Sequence, residues 1–143
     1  TRGLKGVFVM NEYYQRLQAA YIDELEAYTF YSYLASVAPS MELSQILTSI
    51  ARDEYGHART IAAMLVGVPG MTLPTWGGSP TGTITWEEAL SRAIDGELGD
   101  TAEYAELARI APTTDQRLLL MTLLGDEFGH ARTFSAILSN TRR

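Results

Sequence analysis

The feature that most constrains the fold of this chain is an internal repeat with an offset of 73 residues. Residues 53–65, DEYGHARTIAAML, match residues 126–138, DEFGHARTFSAIL, at nine of thirteen positions. The same offset, without a gap, aligns residues 31–40 with residues 104–113. Chance does not maintain one register over so many positions, so we interpret the chain as two copies of one supersecondary unit.

The spacing of apolar residues predicts that each copy is a pair of helices joined by a short turn. In the first helix the stripe contains Leu17, Ala20, Tyr21, Glu24, Tyr28, Tyr31, Leu34 and Ala38. Pro39 and Pro112 are expected to end the first and third helices, and Ser40 is placed to cap the second. Two capping boxes are expected at the starts of the third and fourth helices, Thr85 with Glu88 and Thr113 with Gln116.

The two halves, about residues 12–67 and 85–140, are separated by a Gly- and Pro-rich linker over residues 68–84. Such a linker reaches roughly 55 Å when extended, whereas a helix of two dozen residues is about 36 Å long. It can therefore run the full length of the helices. We predict a single all-α domain over residues 1–143, a four-helix bundle of two repeated αα-hairpins joined by one long crossover.

The composition excludes several classes of function. The chain contains no cysteine, which removes disulfides, thiolate metal sites and Cys-ligated iron modules. The net charge of −6 argues against nucleic acid as a partner, and no apolar run approaches the roughly 20 residues of a membrane span. We expect a cytoplasmic protein that binds neither nucleic acid nor membrane.

Acidic residues and histidines lie within the apolar stripes. Both histidines of the chain follow a glutamate by three residues, so each pair can present a carboxylate and an imidazole on one helix face. With one further Glu from each of the other two helices, the set is the ligand inventory of a dinuclear carboxylate site. The candidate ligands are Glu24, Glu54, His57, Glu97, Glu127 and His130. The alternative, surface glutamates and satisfied core histidines, fits one such pair better than a duplicated set.

Further candidate residues surround this set. By the symmetry of the repeat, Asp53 is placed to orient His130 and Asp126 to orient His57, because ligating imidazoles usually donate their second N–H to a carboxylate or carbonyl. Two readings of Tyr31 and Tyr104 stay open: core aromatics, or donors of hydrogen bonds to the carboxylates of the site. Asp100 follows Glu97 by one turn, where the first half has Ala27, and is a candidate ligand that makes the two metal positions inequivalent.

The stretches ELEAYTFYSYLASVA, DEYGH, AIDGELGD and DEFGH closely resemble the di-iron domain of rubrerythrins, in the ferritin-like superfamily. The resemblance covers about residues 12–140. It implies a ferritin-like bundle that binds two iron ions, with Glu54 and Glu127 bridging them. Asp100 falls where rubrerythrins have an additional ligating Glu. The DExxH pattern is also similar to that of the larger multicomponent monooxygenases and ribonucleotide reductase small subunits, where the Asp supports the metal histidines.

Rubrerythrins also carry a four-cysteine rubredoxin-like centre, which a chain without cysteine cannot form. The resemblance is therefore to the short forms that lack it, and it implies an external electron donor such as a rubredoxin and a homodimer, either simple or domain-swapped. The predicted activity is reduction of hydrogen peroxide, or dioxygen, with Tyr31 and Tyr104 as catalytic candidates. Manganese catalase-like dismutation and ferroxidase iron storage are the alternatives, and manganese is the alternative metal because its preferred donor atoms are the same.

Overall fold

The structure, a computed structural model, describes residues 2–74 and 83–142, with side chains from residue 12 onward. These ranges contain four helices: α1 Arg2–Val37, α2 Met41–Leu65, α3 Trp86–Ile110 and α4 Thr114–Thr141. The predicted all-α bundle of two hairpins, α1 with α2 and α3 with α4, is confirmed. None of the described helices has the length and hydropathy needed to span a membrane.

The first helix begins at Arg2, ten residues before the boundary of the first repeat half at residue 12. The repeat counterparts of residues 2–11 are residues 75–84, which contain Pro80 and three glycines. The segment at residues 2–11 has no proline, so nothing in its backbone chemistry prevents α1 from extending through it. The repeat therefore does not set the start of this helix.

The helix ends follow local chemistry. The Ser40 side chain accepts a hydrogen bond from the Leu43 N–H at 3.1 Å, and the capping box of Thr85 and Glu88 forms in both directions. At α4 the prediction was half wrong. The Thr113 hydroxyl accepts from the Gln116 N–H at 3.1 Å, but the Gln116 side chain does not return the bond. Its Oε1 instead accepts from the Tyr13 hydroxyl of α1 at 2.6 Å.

Contacts between the hairpins define the topology. Tyr31 contacts Glu97 and Tyr104 contacts Glu24, so α1 and α3 run antiparallel. The short turn at residues 38–40 makes α1 and α2 antiparallel as well. It follows that α2 and α3 are parallel, so the end of α2 and the start of α3 lie at opposite ends of the bundle, as the predicted crossover requires. Residues 75–82 of the predicted linker lie outside the described residues.

The core consists of two apolar clusters with a polar layer between them. One cluster includes Tyr13, Leu17, Ile61, Leu107, Leu120 and Leu123. The other includes Leu34, Leu47, Ile50, Leu90 and Phe134. Each fully buried side chain of this size contributes about 1.5–3 kcal/mol relative to exposure, so the clusters hold the four helices together on both sides of the polar layer.

Tyr28 departs from its predicted place in the core stripe of α1. It is 38% exposed, and its ring centroid lies 5.3 Å from that of Tyr55 on α2. The phenol ring packs at the outer edge of the hairpin, where its hydroxyl reaches water without the cost of burial. Leu25, one turn earlier, is 7% exposed.

Candidate metal centre

The polar layer contains charged side chains from all four helices. The four glutamates are at most 1% exposed and the two histidines 5% and 7% exposed: Glu24, Glu54, His57, Glu97, Glu127 and His130. Burying an ionised carboxylate without a partner is costly, so such groups must either bind protons or bind cations. The structure thus brings together the six Glu and His residues singled out by the repeat.

Their ligand atoms form two overlapping groups, and within each group the atoms lie no more than 4.8 Å apart. The first group contains Glu24, Glu54, His57 and Glu127, and the second contains Glu54, Glu97, Glu127 and His130. The shared members are Glu54 and Glu127. Two groups with two common carboxylates are consistent with a di-metal site.

Each imidazole has one nitrogen toward the glutamates and one toward an aspartate. His57 Nδ1 lies 2.7 Å from Glu127 Oε1 and 3.5 Å from Glu24 Oε2, whereas its Nε2 lies 2.9 Å from Asp126 Oδ2. The second half repeats this arrangement with His130 and Asp53, also at 2.9 Å. The crossed aspartates bind Nε2, so Nδ1 is the nitrogen that could bind a metal ion.

Whether metal ions fit this layer can be tested by asking whether its buried polar atoms already have hydrogen-bond partners. Within the described residues, eight buried atoms at this layer make no hydrogen bond: Glu24 Oε2, both Glu54 oxygens, His57 Nδ1, Glu97 Oε2, both Glu127 oxygens and His130 Nδ1. An unsatisfied buried group costs about 1–3 kcal/mol. Eight such atoms converging on one layer fit two bound cations, and hard oxygen with imidazole nitrogen suits iron, manganese or zinc.

The remaining oxygens of the non-shared glutamates are bound by the two tyrosines. Tyr31 donates its hydroxyl to Glu97 Oε1 at 2.8 Å, and Tyr104 donates to Glu24 Oε1. Both rings are buried, 3% and 2% exposed, so the two sequence-based readings hold together: each is a core aromatic and a hydrogen-bond donor. Burial, and then the charges of Glu97 and Glu24, raise the pKa of the Tyr31 and Tyr104 hydroxyls well above 10, so both stay protonated.

Without metal, the site favours bound protons. Burial, followed by the neighbouring carboxylates, raises the pKa of Glu54 far above its usual value. Burial likewise raises the pKa of Glu127 to about 10, although the adjacent His57 imidazole opposes this. For His57 burial lowers the pKa, but the adjacent carboxylates of Glu127 and Glu24 outweigh it and raise the pKa to about 11. The pKa of His130 is raised in the same way, with burial opposed by Glu97 and Asp53.

Asp100 lies beside the layer but in neither of the two groups. It is half-buried, and burial together with the charges of Glu24 and Glu97 raises its pKa to about 8, against an opposing effect of the nearby Glu127 carboxyl. The predicted role of Asp100 as a ligand stays a prediction. Its position next to Glu24 and Glu127 nevertheless makes the surroundings of the two groups unequal.

Sequence reasoning did not single out Asp23. Desolvation, followed by the charges of Glu26 and Glu24, raises the pKa of Asp23 to about 6. The signal was available in the repeat, because the counterpart of Asp23 is Gly96, just as the counterpart of Asp100 is Ala27. Glu24 is among the charges that raise the pKa of both asymmetric acids, so the two halves of the layer differ in their electrostatic surroundings.

Comparison with known proteins agrees with this geometry. Residues 15–70 match the family model described as Rubrerythrin, and no curated protein matches the chain significantly. Bacterioferritin BfrA of Mycobacterium tuberculosis is 19% identical, over 92% of this chain and 86% of that chain, with a TM-score of 0.78. A hypothetical protein from Pyrococcus furiosus is 19% identical, over 89% of this chain and 88% of that chain, with a TM-score of 0.79.

The family match covers most of the first hairpin, including Glu24, Glu54 and His57. The internal repeat carries the same pattern to Glu97, Glu127 and His130 in the second hairpin. At 19% identity the two solved structures show the fold alone. Over residues 15–70 the chain thus matches the Rubrerythrin family model, and its four-helix bundle has the fold of these two solved structures.

Proposed function

We propose that the protein is a non-haem di-iron carboxylate oxidoreductase that reduces hydrogen peroxide, or dioxygen, with electrons from an external donor protein. The observation that carries the proposal is the pair of overlapping buried groups, whose eight convergent atoms have no hydrogen-bond partner in the described part of the chain. The match to the rubrerythrin model over residues 15–70 supports the same class.

The residues that would hold the metals follow from the two groups. Glu24 and His57 belong to one group and Glu97 and His130 to the other, with Glu54 and Glu127 common to both. When bound, two redox-active ions supply the two electrons that cleavage of an O–O bond requires, and the carboxylates balance their charge. We favour iron by resemblance, with manganese as the alternative.

The surrounding residues would hold the ligands and protons in place. Asp53 and Asp126 fix the orientation of the two imidazoles, so that Nδ1 stays directed at the layer. Tyr31 and Tyr104 each keep a proton and donate it in a hydrogen bond to a carboxylate that only one group uses. The apolar clusters on both sides exclude bulk water, which strengthens these interactions.

The composition supports dependence on an external donor. The sequence contains no cysteine, so the chain has no rubredoxin-like centre of its own. We infer that continuous turnover requires a separate electron-transfer protein, such as a rubredoxin. Without that protein, the electrons held by the reduced site are used up after one reaction.

Rapid mixing tests the proposal. Protein purified without chelator is assayed for metal, reduced without oxygen and mixed with peroxide, and steady-state turnover is then measured with and without a rubredoxin-type donor. We expect two iron ions per chain, oxidation in a single turnover, and continuous peroxide loss only with the donor. The Glu54→Ala/Glu127→Ala variant should lose the iron ions, the single-turnover oxidation and the donor-dependent peroxide loss. The control is Glu26→Ala, which replaces an exposed glutamate outside both groups and should keep all of these properties.

Other results would support other functions. Oxygen release from peroxide without a donor supports catalase-like dismutation. Rapid ferrous oxidation with mineral retained by a large assembly supports storage. A protein that binds two metal ions but reacts with neither peroxide nor dioxygen contradicts the oxidoreductase proposal.

A further inference from the structure

The second hairpin exposes large apolar side chains on the side that faces away from the metal centre. Met121 and Leu118 of α4 are 54% and 56% exposed, Phe128 is 50% exposed, and Leu98 of α3 is 46% exposed. Met121 also lines a groove of about 470 Å³, together with Ala105, Ala108, Arg109, Arg117 and Leu124. Contiguous exposed apolar surface on a folded domain marks an interaction site more often than scattered residues do.

These residues follow the spacing of a coiled-coil seam. On α3 the positions 95, 98, 102, 105 and 109 are separated alternately by three and four residues, and on α4 the positions 118, 121, 125, 128 and 132 show the same alternation. Such 3–4 spacing keeps side chains on one face over several turns. We call these ten positions the outer seam: Asp95, Leu98, Ala102, Ala105, Arg109, Leu118, Met121, Gly125, Phe128 and Arg132.

The first hairpin provides an internal control, because it has the same fold and sequence register. Its matched positions are mostly polar: Ile22, Leu25, Thr29, Ser32, Ser36, Gln45, Thr48, Arg52, Tyr55 and Arg59. Leu25, which matches the exposed Leu98, is only 7% exposed. Tyr28 packs on Tyr55 at this edge, whereas the counterpart of Tyr28 is the small Thr101. At these positions the first hairpin exposes one large apolar side chain, Tyr55 at 46%, whereas the second exposes four, so the two hairpins share a core but differ in their outer faces.

Charge and side-chain size indicate what covers the outer seam. Its α3 stripe has an acid at one end, Asp95, and a base at the other, Arg109. Asp95 makes no ion pair within the described residues, and Arg109 is exposed, where it binds Glu106. Two identical stripes placed antiparallel bring each acid next to the base of the other copy. This self-complementarity is the property that a two-fold symmetric interface requires.

The two residues at the centre of the outer seam are both small. Ala102 is midway between Asp95 and Arg109, and Gly125 is midway along the α4 stripe. The Arg117 side chain binds the Ala108 carbonyl, which places Ala102 and Gly125 within about one helical turn of each other along the bundle. No atom lies within 4 Å of the position that a Cβ on Gly125 would occupy. One two-fold axis can pass between these residues and let two helix pairs approach closely.

We infer that the outer seam is the contact surface of a homodimer, in which the α3–α4 hairpins of two copies pack face to face and antiparallel. Met121 of one copy then packs near Phe128 of the other, and Asp95 pairs with Arg109 of the other. The inference does not depend on the proposed function, since none of these residues belongs to the metal centre.

The first test compares two variants, each with one charge introduced on a different hairpin. Met121→Glu should convert the dimer to monomer, weakening association roughly tenfold or more because it places a carboxylate in an apolar contact. Thr48→Glu, at the matched position of the first hairpin, should leave the dimer intact. Sedimentation measures the mass, and circular dichroism with metal content shows that both variants are folded.

The second test examines the antiparallel register. Asp95→Arg alone and Arg109→Asp alone should each weaken the dimer, because each places like charges together. The double variant restores opposite charges across the two-fold axis and should recover much of the association. A monomeric wild-type chain, a dimer lost in Thr48→Glu, or a dimer kept in Met121→Glu, as a domain-swapped dimer would be, overturns the inference. So does a double variant no better than the single ones.

Discussion

Each histidine of the metal centre is oriented by an aspartate from the opposite helix of the α2–α4 pair. The Nε2 atoms of His57 and His130 lie 2.9 Å from Asp126 and Asp53, and these carboxylates are about half exposed. Removing one leaves the imidazole free to rotate or to change tautomer. We expect Asp53→Ala and Asp126→Ala each to lower metal affinity or activity roughly 10–100-fold, as measured by titration of the metal-free protein.

The matched control for Asp53→Ala is Asp53→Asn, which keeps a side-chain oxygen as hydrogen-bond acceptor. In Asp53→Asn the amide oxygen can still accept the Nε2 proton of His130, so most of the affinity should remain. Unchanged metal affinity in both Ala variants would show that the aspartates do not orient the ligands. Equal losses in Asn and Ala would indicate that the negative charge, rather than the orientation, is what matters.

The raised pKa values of the metal centre predict how the stability of the metal-free protein depends on pH. Folding raises the pKa of Glu127 to about 10 and that of His57 to about 11. In the unfolded state the pKa is about 4.5 for Glu and 6.5 for His. At pH values between the unfolded and the folded pKa, each group therefore holds its proton in the folded state and loses it on unfolding. The free energy of unfolding should therefore fall as pH rises from about 5 toward 10.

Metal binding should reverse this trend, because cations displace these protons and replace their stabilising effect. Thermal unfolding measured over this pH range, with and without metal, checks the prediction. Calorimetry in buffers of different ionisation enthalpy should also detect proton release on metal binding. A metal-free protein whose melting temperature rises between these pH values would contradict it.

At the scale of helices, one hydrogen bond links Tyr13 of α1 to the start of α4. Gln116 accepts from the Tyr13 hydroxyl, and Tyr13 is fully buried. Gln116→Ala leaves that hydroxyl without its partner and should cost about 1–3 kcal/mol. Glu88→Ala, at the exposed capping box of α3, removes only a helix cap bond and should cost less. Chemical denaturation measures both.

Tyr13→Phe supplies the control for this bond. If the cost arises from the unsatisfied hydroxyl, the Tyr13→Phe/Gln116→Ala variant should be less destabilised than the sum of the single variants. Strict additivity would show that Gln116 acts independently of Tyr13.

The ends of the helices could be predicted from the sequence where residues close to each end determine its position. Pro39 and Pro112, the Ser40 cap and the Thr85 capping box all act within a few residues of the helix ends. The missing half of the α4 capping box was not predictable, because Gln116 is bound by a residue 103 positions away. Tyr28 also depended on a distant contact, with Tyr55 on α2, which periodicity along one helix cannot show.

For the metal centre, the repeat predicted which residues meet because symmetry supplies long-range information that a single stripe lacks. Glu24 and Glu97 occupy equivalent positions, and their contacts with Tyr104 and Tyr31 are equivalent as well. Where the halves differ, as at Asp23 and Asp100, the repeat offers no guide. The pKa values of these residues depend on neighbours across α1 and α3.

For the molecule as a whole, we expect the polar layer to add most to stability when cations occupy it. A metal at 100 times its dissociation constant stabilises the fold by about 2.7 kcal/mol, so chelation should lower the melting temperature of the wild-type protein. Without metal, the four glutamates interrupt a core that is otherwise apolar. Replacing buried charged groups with apolar residues of similar volume is often neutral or stabilising by about 1–4 kcal/mol.

The Glu54→Leu/Glu127→Leu variant should consequently be as stable as the metal-free wild type, or more stable, because it removes the two carboxylates common to both groups. It should bind no metal pair, so its melting temperature should not respond to metal or chelator. Calorimetric scans of both proteins in both conditions separate the two effects. A variant that is clearly less stable than the metal-free wild type would mean that the protonated glutamates themselves support the core. In that case the metals add to an already stabilising layer, and the polar layer is not a cost that the fold carries for its function.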